Sequence, residues 1–308
     1  MTSVRAVLKV RRAVILALGI FGALVVGAAA SGSGSVRNED SAPSPNPESG
    51  EPRDQLWFLP EGELFDPLLA DPDWPRFSAE HQWRLGSDEF NRVGAVSFGE
   101  SLALVRSRQY EWGEWEFGLQ ANMDAIFDLA EKSFDLSNED YVFGLTWSVL
   151  TRGVTTQLRV YHLSSHVGDE YLIGNNAFER NDVSLEAIDL LVSYEPFEWL
   201  RIYGGIGALI NPNPAFDPMT TEFGVEVVST MSFASGRLTP IAGMDIQINQ
   251  QNDWIPDVAM IAGLRLAQPG NDVRRIEFVA RYYNGRSPEG QFFREKIESL
   301  GLGLRLGF

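Results

Sequence analysis

Residues 161–170 read YHLSSHVGDE and hold two of the chain's three histidines, His162 and His166, with Ser164 and Ser165 between them. Histidine and serine two residues apart on an extended strand share a face, with Cα atoms roughly 6.5–7 Å apart. His162 could then take the proton of Ser164 as the serine oxygen attacks an ester carbonyl. A carboxylate on the neighbouring strand would hold the imidazole in its productive tautomer, and Glu186 is the candidate. A second chemistry uses His166, Asp169 and Glu170 as nitrogen and oxygen ligands of a divalent cation such as calcium. The third reading is architectural: Ser165, His166, Asp169 and Glu170 knit the long loop 167–182 onto the rim of the fold.

Each reading needs a strand to present these residues, and the pattern from Ala79 onward is that of strands. Trp115, Phe117, Leu119, Ala121, Met123, Ala125 and Phe127 alternate with Glu116, Gln120, Asn122 and Asp124. Tyr141, Phe143, Leu145, Trp147 and Val149 do the same around Gly144, Thr146 and Ser148. Strict two-residue alternation marks strands with one apolar face. Residues 79–308 divide into about twelve such segments, the eighth over 222–235, each about ten to sixteen residues, as tilted membrane-spanning strands must be. Short turns alternate with longer polar connections at 129–138, 167–182, 211–221, 249–254 and 285–294, the arrangement of an outer-membrane barrel. The expected fold is therefore all-β, an antiparallel transmembrane β-barrel of about twelve strands.

Within that frame, Gln157 and Arg159 face the polar lumen, because a charge towards lipid is costly near the midplane. Periodicity then turns His162, Ser164 and His166 outward, at the strand end near the outer leaflet. With Asp189 inward on the next strand, Glu186 also turns outward. Arg275, Glu277 and Arg281 point into the lumen, with Glu226 and Asp245 as their expected partners. Glycines at 204, 205 and 207 mark bending or close packing within a strand.

The remainder of the chain sets the compartment. Residues 1–30 place Arg5, Lys9, Arg11 and Arg12 before an apolar run that ends in small residues, which reads as a secretory signal peptide. Residues 31–55 are rich in Ser, Pro, Gly and acid and read as a disordered linker. Residues 56–78 pack aromatic and leucine residues between prolines, which suits an irregular Pro-rich segment that plugs or braces the periplasmic end. The 308-residue chain has no cysteine, which excludes disulfides, thiolate metal sites and a cysteine nucleophile. Its formal net charge is −17, all the more negative once the four basic residues of the signal are removed, so nucleic acid is excluded as a partner.

Three resemblances add to this reading. The ending LGLGLRLGF, with terminal Phe308, resembles the signal by which bacterial outer-membrane barrels are assembled, and implies the barrel-assembly machinery as a partner. His162-Leu163-Ser164 on an outward strand end resembles the pattern of two outer-membrane lipid hydrolase families, the calcium-dependent phospholipase A and the lipid A deacylase. That resemblance implies Ser164 as nucleophile, His162 as general base, Glu186 as orienting acid and outer-membrane lipid as substrate. Both families place an asparagine after the serine, where this chain has Ser165, and the gap to the third residue is longer here. Finally, FLPEGELFDPLLADPDWPRFS, YHLSSHVGDEYL and GQFFREKIESLGLGLRLGF resemble the bacterial family labelled domain of unknown function 1207, which implies an envelope protein and assigns no activity. The expectation is an outer-membrane serine acyl-ester hydrolase. The alternative is a non-catalytic structural barrel or narrow pore.

Overall fold

A computed structural model describes residues 54–86, 90–109, 113–174, 178 and 180–308. The expected signal peptide, and the expected linker up to residue 53, lie outside the described residues. The strands are β1 (Asp54–Phe58), β2 (Phe77–Arg84), β3 (Arg92–Gln109), β4 (Gly113–Asp128), β5 (Asp135–Thr151) and β6 (Val154–Val167). A short helix, α1 (Asp169–Gly174), precedes β7 (Val183–Phe197), β8 (Leu200–Asn213), β9 (Met219–Val228) and β10 (Leu238–Asn249). The chain ends with β11 (Pro256–Gln268), β12 (Asn271–Arg286) and β13 (Lys296–Gly307). Consecutive strands from β2 onward pair antiparallel, and β13 returns to β2 with Leu304 opposite Ala79, so twelve strands close into a barrel. Closure lets neighbouring strands satisfy one another's backbone donors and acceptors, as a lipid environment requires.

The faces of the wall are inverted relative to a soluble protein. Outward Phe143, Ile206 and Leu302 are 58%, 57% and 57% exposed, whereas inward Gln157 and Asp245 are each 1% exposed. Apolar side chains outside and polar ones inside are what a barrel facing lipid needs. No helix among the described residues is long and apolar enough to cross a membrane, so the strands are the candidate spans.

β1 lies outside the count of twelve. β3 has 18 residues and β2 only 8, so β2 covers β3 from Arg92 to Phe98. β1 covers the remainder, with Phe58 opposite Val105 and Asp54 opposite Gln109. The two short strands thus divide one position in the wall, and residues 59–76 leave the wall at the break and enter the lumen. The sequence predicts an irregular segment here; the free edge of β3 is what makes Asp54–Phe58 a strand. The expected strand over 222–235 likewise ends at Val228, and Ala234, Ser235 and Gly236, all left-handed (φ 50°, 59° and 83°), form a turn instead of an extended ladder. Conversely, Asp135–Asn138, expected as loop, extends β5.

The inserted segment is held by lumenal charges. Phe65, Leu68, Leu69, Ala70 and Trp74 are buried. Phe65 stacks on Trp74 with ring centroids 5.7 Å apart, and the Arg201 and Arg159 guanidinium groups each lie 4.8 Å from one of these rings. The segment's irregular backbone cannot satisfy itself, so wall side chains do it. Arg201 donates to the Asp66 carbonyl (2.8 Å), Arg305 to the Leu69 carbonyl (2.6 Å), and Glu226 accepts from the Leu69 amide (2.6 Å). These contacts correct the expected ion pairs. Glu226 pairs with Arg201 and Asp245 accepts from Tyr203, while Arg281 reaches Glu80 at 3.4 Å and Glu277 takes Arg265 and Arg275. Cross-strand register, which the alternation does not encode, selects these partners.

At the opposite end of the lumen, where the longer loops lie, Phe90, Val93, Ile126, Val167, Tyr171 and Phe292 form a second apolar cluster. A polar chamber of about 70 Å³, lined by Asp73, Arg76, Glu80, Asp124, Asp140 and Arg281 among others, remains in the lumen.

Candidate active site on the outward face

The orientation of β6 follows from Arg159. Its guanidinium pairs with Asp189 of β7 at 2.8 Å and lies over Trp74 of the inserted segment, so it points inward. Two-residue periodicity then sends His162, Ser164 and His166 outward. On β7, inward Asp189 leaves Glu186 on the outer face. Register places Glu186 directly opposite His162, and His162 Nδ1 lies 3.3 Å from Glu186 Oε1. The side chains are 49% and 47% exposed, so the pair stands on the barrel's outer surface.

Nδ1 facing the carboxylate favours the tautomer that carries its proton there and leaves the Nε2 lone pair as a base. Ser164 shares this face two residues along, and no hydrogen bond joins it to His162 among the described residues. Such contacts commonly tighten only when substrate is bound.

Two rows of outward residues lead across the wall to this point. One runs from Phe98 through Met123 and Tyr141 to Ser164, each opposite the next on β3, β4, β5 and β6. The adjacent row brings Ala121 and Phe143 to His162. Together they line a mostly apolar groove of about 340 Å³ that reaches His162 and Ser164. Sequence reasoning missed this groove. The alternation identified its outward side chains, but only the register of four strands aligns them.

The proposed cation ligands separate. His166 is exposed and packs edge-on to Tyr141, with ring centroids 5.9 Å apart. Asp169 and Glu170 lie exposed in the first turn of α1. Their donor atoms do not converge with His166; the carboxylates that do converge among the described residues are Asp71, Glu222 and Asp245 in the lumen. Thus no ligand set forms beside Ser164 among the described residues.

Ser165, by contrast, faces inward and does knit the rim. Its hydroxyl donates to Asn138 Oδ1 at 3.2 Å, and its carbonyl accepts from Gln291 Nε2 at 2.8 Å. Gln291 lies in the 3₁₀ turn Gly290–Phe292, whose Gly290 amide donates to Asp140 Oδ2 at 3.0 Å. This polar knot anchors the aromatic cluster behind the outward pair.

The sequence model of a family described as "Protein of unknown function (DUF1207)" matches residues 54–308. Among curated proteins there is no match. Outer membrane phospholipase A from Escherichia coli is similar in structure, with a TM-score of 0.52, 9% identity, and coverage of 76% of this chain and 94% of that one. The Salmonella typhi outer membrane phospholipase dimer with bound calcium gives 0.51, 10%, 77% and 94%. The KdgM porin gives 0.41, 9%, 75% and 98%. At such identities the likeness concerns the fold: this chain has the architecture of an outer-membrane barrel.

Proposed function

The chain belongs to the DUF1207 family of proteins of unknown function, and from that footing we propose that it is a serine acyl-ester hydrolase acting on outer-leaflet lipid of a bacterial outer membrane. The observation that carries this reading is the His162–Glu186 pair on the outward face, beside Ser164 at the end of an apolar groove. A carboxylate on a lipid-facing surface has a desolvation cost that rises towards the membrane interior, and holding a catalytic histidine is a use for it.

In this mechanism an acyl chain lies along Phe98, Met123, Tyr141 and Phe143. Ser164 Oγ attacks the ester carbonyl carbon while His162 Nε2 accepts the hydroxyl proton, and Glu186 offsets the positive charge on the imidazole. Collapse of the tetrahedral intermediate breaks the ester C–O bond, and the imidazolium returns its proton to the departing alcohol. Water then hydrolyses the acyl-serine by the same route.

The direct experiment measures acyl release from phospholipid and lipid A by the refolded protein and by folded Ser164→Ala and His162→Ala variants. Release that both variants abolish supports the hydrolase. Release that survives both, or no release from either lipid by the wild type, sinks it. The porin-like alternative draws less support, because the lumen holds the inserted segment and the aromatic cluster near its two ends.

A further inference from the structure

Asp71 of the inserted segment meets Glu222 of β9 and Asp245 of β10 inside the barrel. One oxygen from each carboxylate lies within 4.8 Å of the others. Glu222 stands opposite Gln247, and Asp245 opposite Gly224, so the two wall residues are diagonal neighbours on the inward face. Several other acids of the lumen are paired. Glu80, Glu116, Asp189, Glu226 and Glu277 each face an arginine. Asp71, Glu222 and Asp245 have no ion pair among the described residues.

A second observation is independent of this clustering. Glu222 Oε1 and Asp245 Oδ1 are buried and have no hydrogen-bond partner, and Asp245 as a whole is almost completely inaccessible. A buried carboxylate oxygen without a donor is costly, and neighbouring carboxylates raise that cost.

The surrounding donors hold the carboxylates without consuming these oxygens. Tyr203 donates to Asp245 Oδ2 at 2.7 Å, while the Asp73 amide (2.8 Å) and Gln247 Nε2 (3.3 Å) both donate to Asp71 Oδ1. Gly224 leaves room for Tyr203, since a Cβ there would overlap its ring. This is how outer groups orient carboxylate ligands around a metal ion.

We propose that Asp71, Glu222 and Asp245 form a binding site for a hard divalent cation, calcium by class, that pins the inserted segment to the barrel wall. All three ligands are oxygen, with no histidine or thiolate to favour a softer metal. Calcium–oxygen distances are about 2.3–2.6 Å, so oxygens sharing one ion lie no more than about 5.2 Å apart, and the three carboxylate oxygens fall within that limit. Calcium also accepts irregular geometry, whereas magnesium demands a near-octahedral shell. The site faces the lumen, and the proposal does not depend on the hydrolase reading.

The test uses the full refolded chain in detergent, stripped with EDTA and titrated with calcium chloride by calorimetry, with a parallel magnesium chloride titration. Thermal unfolding and limited proteolysis of residues 54–76 are followed with and without calcium. The expected result is one calcium per chain, with a higher unfolding midpoint and slower cleavage of the segment when calcium is bound. Asp245→Asn and Glu222→Gln should each weaken binding at least tenfold, and His166→Ala should leave it unchanged. Absence of calcium uptake by the wild type overturns the proposal, as does uptake that both lumenal variants retain or that His166→Ala removes. Magnesium binding as tight as calcium overturns the assignment to calcium. Since wild-type uptake and protection are decisive alone, a variant that fails to fold does not rescue the idea.

Discussion

Glu186 stands directly across the β6–β7 ladder from His162, and their side chains meet at 3.3 Å on the outer surface of the barrel. In the hydrolase reading the three residues have unequal weights. Ser164→Ala should lower acyl release by on the order of 10³-fold or more, because the nucleophile is lost outright. Glu186→Gln should cost less than Ser164→Ala, since Gln keeps an acceptor for the Nδ1 proton but loses the charge that stabilises the imidazolium. A steady-state comparison on one lipid substrate checks the order, and a Glu186→Gln variant as inactive as Ser164→Ala would contradict it.

The inserted segment depends on Arg201, which pairs with Glu226 at 3.1 Å and donates to the Asp66 and Pro67 carbonyls. Arg201→Met leaves the Glu226 carboxylate buried without its cation, at an expected cost of about 3–5 kcal/mol. Adding Glu226→Gln removes that charge while retaining an acceptor for the Leu69 amide, so the double variant should unfold less readily than the single one. Urea titrations in lipid vesicles, read by tryptophan fluorescence, decide the order.

Glu63 supplies a pH dependence. It lies in the inserted segment, where burial and the Glu116, Glu100 and Asp66 carboxylates raise it well above its ordinary 4.5, against a smaller opposing effect of Arg275. An acid whose folded pKa is raised binds more protons in the native state than in the unfolded one. Its stabilising contribution is therefore full below about pH 4.5 and is lost as pH rises towards the folded value. Glu63→Gln should flatten this part of the unfolding profile and raise stability near neutrality. A profile identical to wild type would show that Glu63 does not carry the effect.

The outward face predicts a penalty for charge. Ile206 is exposed on β8, and Ile206→Arg should cost about 2–4 kcal/mol if it lies near the bilayer midplane. Ile206→Leu should be nearly neutral. Refolding both into phospholipid vesicles measures the difference, and equal stabilities would argue against lipid at this surface.

How much of this was legible beforehand differs by residue. Arg159 and Asp189 identified the lumenal face from charge alone, and the two-residue period of a strand then carried that assignment to His162, Ser164 and Glu186. The same alternation made the wall readable, because every strand repeats one local rule. It also misled at 229–235, where apolar Met231 and Phe233 continue the alternation after the ladder has ended.

What the sequence by itself determined is the face each residue occupies, since a strand's period is local and one costly inward charge orients its neighbours. Only the tertiary structure decided which residues meet. Register set Glu186 against His162 and aligned Phe98, Met123, Tyr141 and Ser164 across four strands. The break between β1 and β2 sent residues 59–76 into the lumen and brought Asp71 to Glu222 and Asp245, residues far away in the chain. Such meetings depend on strand stagger around a closed barrel and on the pairing of a free edge, long-range quantities that no local window of sequence contains.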